Sequence, residues 1–306
     1  MRNNVKQMLQ GWVILSRPPF HIVGILPFLL GTCLAYYLKS VFNLEVFVLG
    51  IVAVLLIMLS TYHSGEYFDQ QENAISARLH QNRFAGGTRI ITERKVSARV
   101  ALWTSVISLL IALGIGMMLQ FVYKTGPYTL LLGGLGAFCG FFYSTGPLRL
   151  VKRGFGELFI GICYGWLPVA SSYYIQTASI APMIHWIWLP IGFSIFNVIL
   201  LNEFPDYRAD IATGKKNLLV RIGQEKGKWV YIVFNLLTCL TMLISPCFGV
   251  AFKVVYFYLP FVAVAMFIVY QIIKNRHEDA RWLERLCGLN IAVNIGTSLA
   301  FILAYR

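Results

Sequence analysis

The sequence predicts an all-α polytopic membrane protein built from nine transmembrane helices, and three observations predict it. The 306 residues are 58% hydrophobic and only 13% charged, where a soluble domain carries about 25% charged residues. Mean hydropathy is +0.67, so most of the surface must face lipid. The apolar residues come in long unbroken runs without the period-two alternation that a transmembrane strand would show.

Crossing a bilayer by helix takes roughly 20 mainly apolar residues. Runs of that kind lie near 19–38, 45–64, 98–120, 126–143, 156–175, 186–203, 228–247, 251–273 and 286–305. The opening stretch "MRNNVKQMLQGWVILSRPPF" is not a cleaved signal, because its first long apolar run continues as a full span. Residues 1–18 are expected as an amphipathic surface segment, with Met8, Leu9, Trp12, Val13 and Leu15 near one side. "RPP" then starts the first span, where proline fits the first helical turn. The six cysteines, at 33, 139, 163, 239, 247 and 287, are scattered through the spans without ligand spacing, and read as small apolar residues.

Nine spans put the N-terminal tail and the loops 65–97, 144–156, 204–228 and 274–285 on one side, together with 22 of the 26 Lys and Arg residues. The positive-inside rule makes that side cytoplasmic, with the C-terminus opposite. The whole of 1–306 reads as a single domain embedded in a cell or inner membrane. Basic charge is thereby explained by topology, and no nucleic-acid module is visible.

Acids segregate as well: 12 of 13 lie on the cytoplasmic side, although topology does not require it. They cluster. In "YHSGEYFDQQEN", Glu66, Asp69 and Asn73 are spaced i, i+3, i+7; in "NEFPDYRAD", Asn202, Asp206 and Asp210 are spaced i, i+4, i+8. Each set falls on one face of a helix, and both follow even-numbered spans, so they can face each other across one cavity. Hard oxygen donors of this kind suit Mg²⁺ shared with substrate phosphates. Cations stand nearby at Arg78, Arg83 and Arg89, at Arg149, Lys152 and Arg153, and at Lys215, Lys216 and Arg221. Acids that bridge metal, ringed by Arg and Lys, are what a diphosphate asks for. Charges at span ends ordinarily mark only the interface, but paired clusters at a membrane edge point to function.

These residues resemble the UbiA superfamily of membrane prenyltransferases, nearest its 1,4-dihydroxy-2-naphthoate polyprenyltransferase branch. The resemblance runs through "SRPPFHIVGILPFLLGTCLAYY", "YSTGPLRLVKRGFGELFIGICYGWLPV" and "NEFPDYRADIATGKKNLLVRIG". It implies nine helices, two Asp-rich motifs and Mg²⁺-dependent transfer of an isoprenyl group from its diphosphate to a small aromatic acceptor, as in quinone-lipid synthesis. It implies Glu66, Asp69, Asn73, Asn202, Asp206 and Asp210 as metal ligands, with Asp69, Asp206 and Asp210 central to catalysis. Arg78, Arg89, Arg149, Lys152 and Lys215 would bind diphosphate. Tyr62, Tyr67, Phe68, Tyr143, Phe204 and Tyr207 could stabilise the carbocation through their faces, with Tyr67, Tyr143 and Tyr207 the foremost candidates to meet it or the acceptor. The first motif departs from the family pattern: Gly65 stands for Asn, Glu66 for Asp and Asn73 for the last Asp, while Glu72 points about 100° away.

Weaker signals are "RFAGGTR", a phosphate-cradling or plain turn, and His63, a base or an interface histidine. Other readings are a terpene cyclase or non-aromatic acceptor enzyme of the same fold, and a transporter. The transporter would want acids at mid-span and broken helices, whereas these spans read as unbroken.

Overall fold

The structure is a computed structural model that describes residues 2–79, 82–84 and 87–306. Among the described residues every regular element is helical. Helix α1 (Arg2–Leu15) precedes α2 (Pro18–Lys39), α3 (Leu44–Phe68) and the short α4 (Gln70–Leu79). Helix α5 (Ala98–Met117) is extended by a π turn (Met118–Val122), and α6 (Thr129–Ser144) follows. Next come α7 (Gly156–Tyr164), α8 (Trp166–Thr177), α9 (Ile184–Ala212) and α10 (Leu218–Ile222). Helices α11 (Gln224–Ile244), α12 (Lys253–Ile273) and α13 (Ala280–Ala304) complete the chain. Among the described residues eight helical stretches are long and apolar enough to cross a membrane; the fourth expected span, α6, is a shorter apolar helix of 16 residues.

Local chemistry sets the ends. Pro18 opens α2, where its missing N–H costs nothing. Asn43 Oδ1 accepts from the Val46 amide at 3.1 Å to cap α3, and Asp279 Oδ1 accepts from the Arg281 and Trp282 amides at 3.0 and 2.9 Å to cap α13. These side chains fill orphan donors of a first turn.

Helix α9 is the axis of the bundle, packed against α7, α8, α11 and α13. It carries Pro205 in its interior, which leaves the Leu201 carbonyl without its usual donor four residues on. The Cys287 thiol of α13 donates to that carbonyl at 3.8 Å. The helix runs on to Ala212, past the expected end of the span at 203, and carries Asn202, Asp206 and Asp210 on one continuous face.

One expectation is corrected. The fifth span breaks at Gly165 (φ −89°, ψ −75°) into α7 and α8. There Gly161 and Gly165 lie against Gly192 of α9 so closely that a Cβ on Gly165 would sit 2.8 Å from Gly192 Cα. The apolar residues of α1 differ in exposure. Leu15 is buried with Ile90 and Val96, and the Trp12 indole donates to Thr104 Oγ1 at 3.1 Å, while Met8, Leu9 and Val13 are exposed.

Candidate active site

Both acid clusters open on one cavity of about 590 Å³. Its polar end is walled by Glu66, Asp69, Glu72 and Asn73 from the first cluster and by Asn202, Glu203, Asp206 and Asp210 from the second. From there it runs between α3, α5, α6 and α8 along apolar residues as far as Leu119 and Leu130. The lining residues that are also exposed on the outside of the bundle are Leu110, Leu113, Gly133, Gly134 and Phe159. All but Phe159 belong to α5 and α6, so the apolar end opens sideways between these two helices. At Gly133 and Gly134 a side chain would meet nothing within 4 Å.

Helix α3 ends where the first cluster begins. Asp69 leaves helical geometry (φ −102°, ψ 27°), yet its amide bonds Gly65 O and its carbonyl accepts from Asn73, both at 2.9 Å. The chain therefore turns without losing register, and Glu66, Asp69 and Asn73 all reach the cavity. Asp69 Oδ2 accepts from Ser144 Oγ at 2.7 Å and Oδ1 from Arg149 at 2.9 Å. Glu72 pairs with Lys152 at 2.7 Å and Arg149 at 3.7 Å. Burial alone would raise the Glu72 carboxyl, but the hydrogen bond and charge of Lys152 and the charge of Arg149 outweigh it and hold it below the usual carboxylate range.

On the other wall, Ser76 Oγ bonds Asp206. Asp210 accepts from Asn217 Nδ2 at 2.7 Å and from Lys215 at 3.3 Å. Lys215 lines the cavity. Burial opposes its charge, but Asp210, Asp69, Asp206 and Glu203 together raise the ammonium above the ordinary lysine value. Tyr143 lies within electrostatic reach of Glu157, Glu203, Asp69 and Asp210.

Among the described residues no three of His, Cys, Asp and Glu converge tightly enough to chelate one ion. The donors nevertheless fit Mg²⁺, which keeps waters and is held by one or two carboxylates plus substrate phosphates. Asp69, Asp206 and Asp210 present hard oxygens to one space, and Asn202 Oδ1, buried among them, has no partner.

A model of the UbiA prenyltransferase family matches residues 24–293, nearly the whole bundle. The chain belongs to the UbiA prenyltransferase family. It is 26% identical over 72% of its length to the 2-carboxy-1,4-naphthoquinone phytyltransferase of Synechocystis, covering 68% of that protein. To the 1,4-dihydroxy-2-naphthoate octaprenyltransferase of Bacillus subtilis it is 29% identical over 69% of its length, covering 65% of that protein. A UbiA homolog from Aeropyrum pernix shares the fold, with a TM-score of 0.71 at 16% identity, covering 92% of this chain and 97% of that one. So does a UbiA homolog from Archaeoglobus fulgidus bound to DMAPP and Mg²⁺, with a TM-score of 0.62 at 17% identity, covering 96% and 99%.

In this UbiA-family bundle the six proposed metal ligands all line the cavity. The five proposed diphosphate cations separate. Lys215 lines the cavity, Arg149 and Lys152 stand behind Asp69 and Glu72, and Arg78 (exposed) and Arg89 lie outside the lining. Of the six aromatics expected near the carbocation, Tyr62 and Tyr143 line the cavity, whereas Tyr67 packs edge-on to Phe68 and Tyr207 packs into the bundle core. Tyr62 and Tyr164 line it and contact each other. The reading from sequence passed over Tyr164 and Arg17, whose "SRPP" context signals only a helix start. His63 is buried outside the lining, bonded to Ser16 Oγ at 3.1 Å. In the "RFAGGTR" turn, Ala85 and Gly86 lie outside the described residues, as does His80.

Proposed function

We propose that this protein transfers an isoprenyl chain from its diphosphate to a small aromatic acceptor of the dihydroxynaphthoate kind, a step in making a quinone lipid. The observation that carries the reading is the single cavity with paired acids at one end and a lipid-open apolar slot at the other. Such a space suits an amphiphile with a diphosphate head and a long hydrocarbon tail. The naphthoate-prenylating relatives support the acceptor class, and the DMAPP and Mg²⁺ bound to the Archaeoglobus homolog support the donor and the metal.

In this reading Asp69, Asp206 and Asp210, with Asn202, would hold Mg²⁺ at the diphosphate end of the cavity. When bound, the ion would neutralise charge that builds on the leaving oxygens. Lys215 supplies a fixed ammonium at the same end, preorganised by its carboxylates rather than drawn in during reaction. As the allylic C–O bond breaks, positive charge develops on the donor carbon. Tyr143, Tyr62 and Tyr164 line the same cavity, and aromatic rings can stabilise such a cation through their faces. Apolar walls keep water from that carbon, so a ring carbon of the acceptor captures it, and loss of the ring proton restores aromaticity. The acid-lined end faces the cytoplasm by the distribution of Lys and Arg.

The test is transfer from a labelled isoprenyl diphosphate by purified protein in liposomes, offered dihydroxynaphthoate or hydroxybenzoate, with Mg²⁺ or EDTA. A Mg²⁺-dependent naphthoate product supports the proposal. Pyrophosphate release without coupling to either acid would point to cyclisation, and no donor turnover by folded protein would refute prenyl transfer.

A further inference from the structure

The family pattern would make Glu66 a metal ligand of the first cluster. Its surroundings show a different employment. Oε1 accepts from Arg17 Nη2 at 2.9 Å and from the Thr88 backbone amide at 2.7 Å. Oε2 accepts from Thr88 Oγ1 at 3.1 Å and from Asn73 Nδ2 at 3.4 Å. A carboxylate has about four lone-pair sites; here four donors fill them, on a residue only 2% exposed. Nothing remains to offer a cation.

The two departures from the family motif fit one another. Asn73 can donate to Glu66, whereas an Asp would set a second carboxylate against the first, where like charges repel. The Asn73 amide also packs so tightly on Gly87 that any Cβ there would overlap it. At the far side, Arg17 is held in left-handed geometry (φ 48°, ψ 54°) at the start of α2, a conformation that costs a non-glycine residue free energy and persists where surroundings fix it. Arg17, Glu66, Asn73 and Gly87 all border the cavity.

We propose that Glu66 and Asn73 form a latch rather than a metal shell: they seat Arg17 and residues 87–88 at the rim of the cavity, leaving metal binding to Asp69, Asp206 and Asp210. Glu66 is thus a positioning residue acting through Arg17 and the Thr88 amide. The metal half of the inference rests on the prenyl-transfer reading above, and the latch half does not.

Hydrogen–deuterium exchange over residues 87–90, together with Mn²⁺ binding followed by electron paramagnetic resonance, tests both halves. Glu66→Ala is expected to speed exchange of this segment about tenfold, the effect of losing a buried hydrogen bond, with Mn²⁺ affinity within about twofold of the parent. Asp206→Ala is expected to do the reverse: unchanged exchange, and affinity lower by at least about tenfold. Should Glu66→Ala fail to fold, Asn73→Asp carries the same expectation of faster exchange. In the parent protein, adding Mn²⁺ should leave exchange at 87–90 unchanged. A Glu66→Ala protein with parental exchange and a tenfold loss of Mn²⁺ affinity would overturn the latch, as would Mn²⁺ itself altering exchange at Thr88. If Asp206→Ala binds Mn²⁺ like the parent, the prenyl-transfer reading loses its metal site, while the exchange result still judges the latch.

Discussion

The Lys215 ammonium lies 3.3 Å from Asp210 Oδ1, and the Lys215 backbone amide donates to the Asp210 carbonyl at 2.9 Å. The chain doubles back as α9 ends, returning the lysine of "TGKKN" onto the aspartate it follows. Asn217 then bonds the other oxygen of the same carboxylate. A positive charge is thereby fixed at the acid-lined end of the cavity.

Lys215→Met should lower kcat/KM by about 10²–10³-fold, the usual loss for one preorganised electrostatic donor, with Lys215→Arg restoring part of it. The surrounding acids raise this lysine above its ordinary 10.5, so its deprotonation should cause no fall in rate up to about pH 10. A pH–rate profile of the parent protein checks this.

Glu72 makes the opposite linkage. Its carboxyl is held below the usual range, so the stability it contributes is present above its unfolded pKa and is lost as pH falls through its folded pKa. Thermal denaturation in detergent should show Glu72→Gln less stable than the parent at neutral pH by about 1 kcal/mol, the upper end for a partly solvated ion pair. The difference should vanish in acid.

The slot between α5 and α6 makes a prediction about donor length. Gly134 lines the cavity and a Cβ there would meet no atom within 4 Å, so Gly134→Phe is expected to put a ring into the slot. Activity with long isoprenyl diphosphates should fall about tenfold or more, as expected from overfilling an apolar site, while the shortest donors are affected least. Equal effects on all donors would locate the tail elsewhere.

At the Gly165 break the requirement is packing. Gly165→Val would push its side chain into Gly192 and should cost about 1–3 kcal/mol, seen as a lower Tm with the metal-binding residues unchanged.

Much of this was legible in the chain. Apolar runs and the one-sided Lys and Arg residues located the long helices, because lipid demands length and hydropathy that little else does. Asn202, Asp206 and Asp210 shared a face because one helix carries all three, and helical period is readable. What the period could not show was contact between distant segments. Arg17 reaches Glu66 across 49 residues, and Arg78 misses the cavity although it is nearer in sequence. Tyr143 reaches the cavity while Tyr67 and Tyr207 do not, which depends on the rotation of each helix. The close approach of Gly165 to Gly192 was not legible because it joins two different helices.

The proposed chemistry stands or falls on whether Asp69, Asp206 and Asp210 hold a prenyl diphosphate through Mg²⁺ in this cavity. Calorimetric binding of a non-hydrolysable isoprenyl thiodiphosphate, with Mg²⁺ and with EDTA, to the parent and to Asp206→Ala tests this most directly. The expected result is saturable binding that needs Mg²⁺ and is weakened at least about tenfold in Asp206→Ala. Binding that is the same in EDTA, or untouched by the substitution, would contradict it.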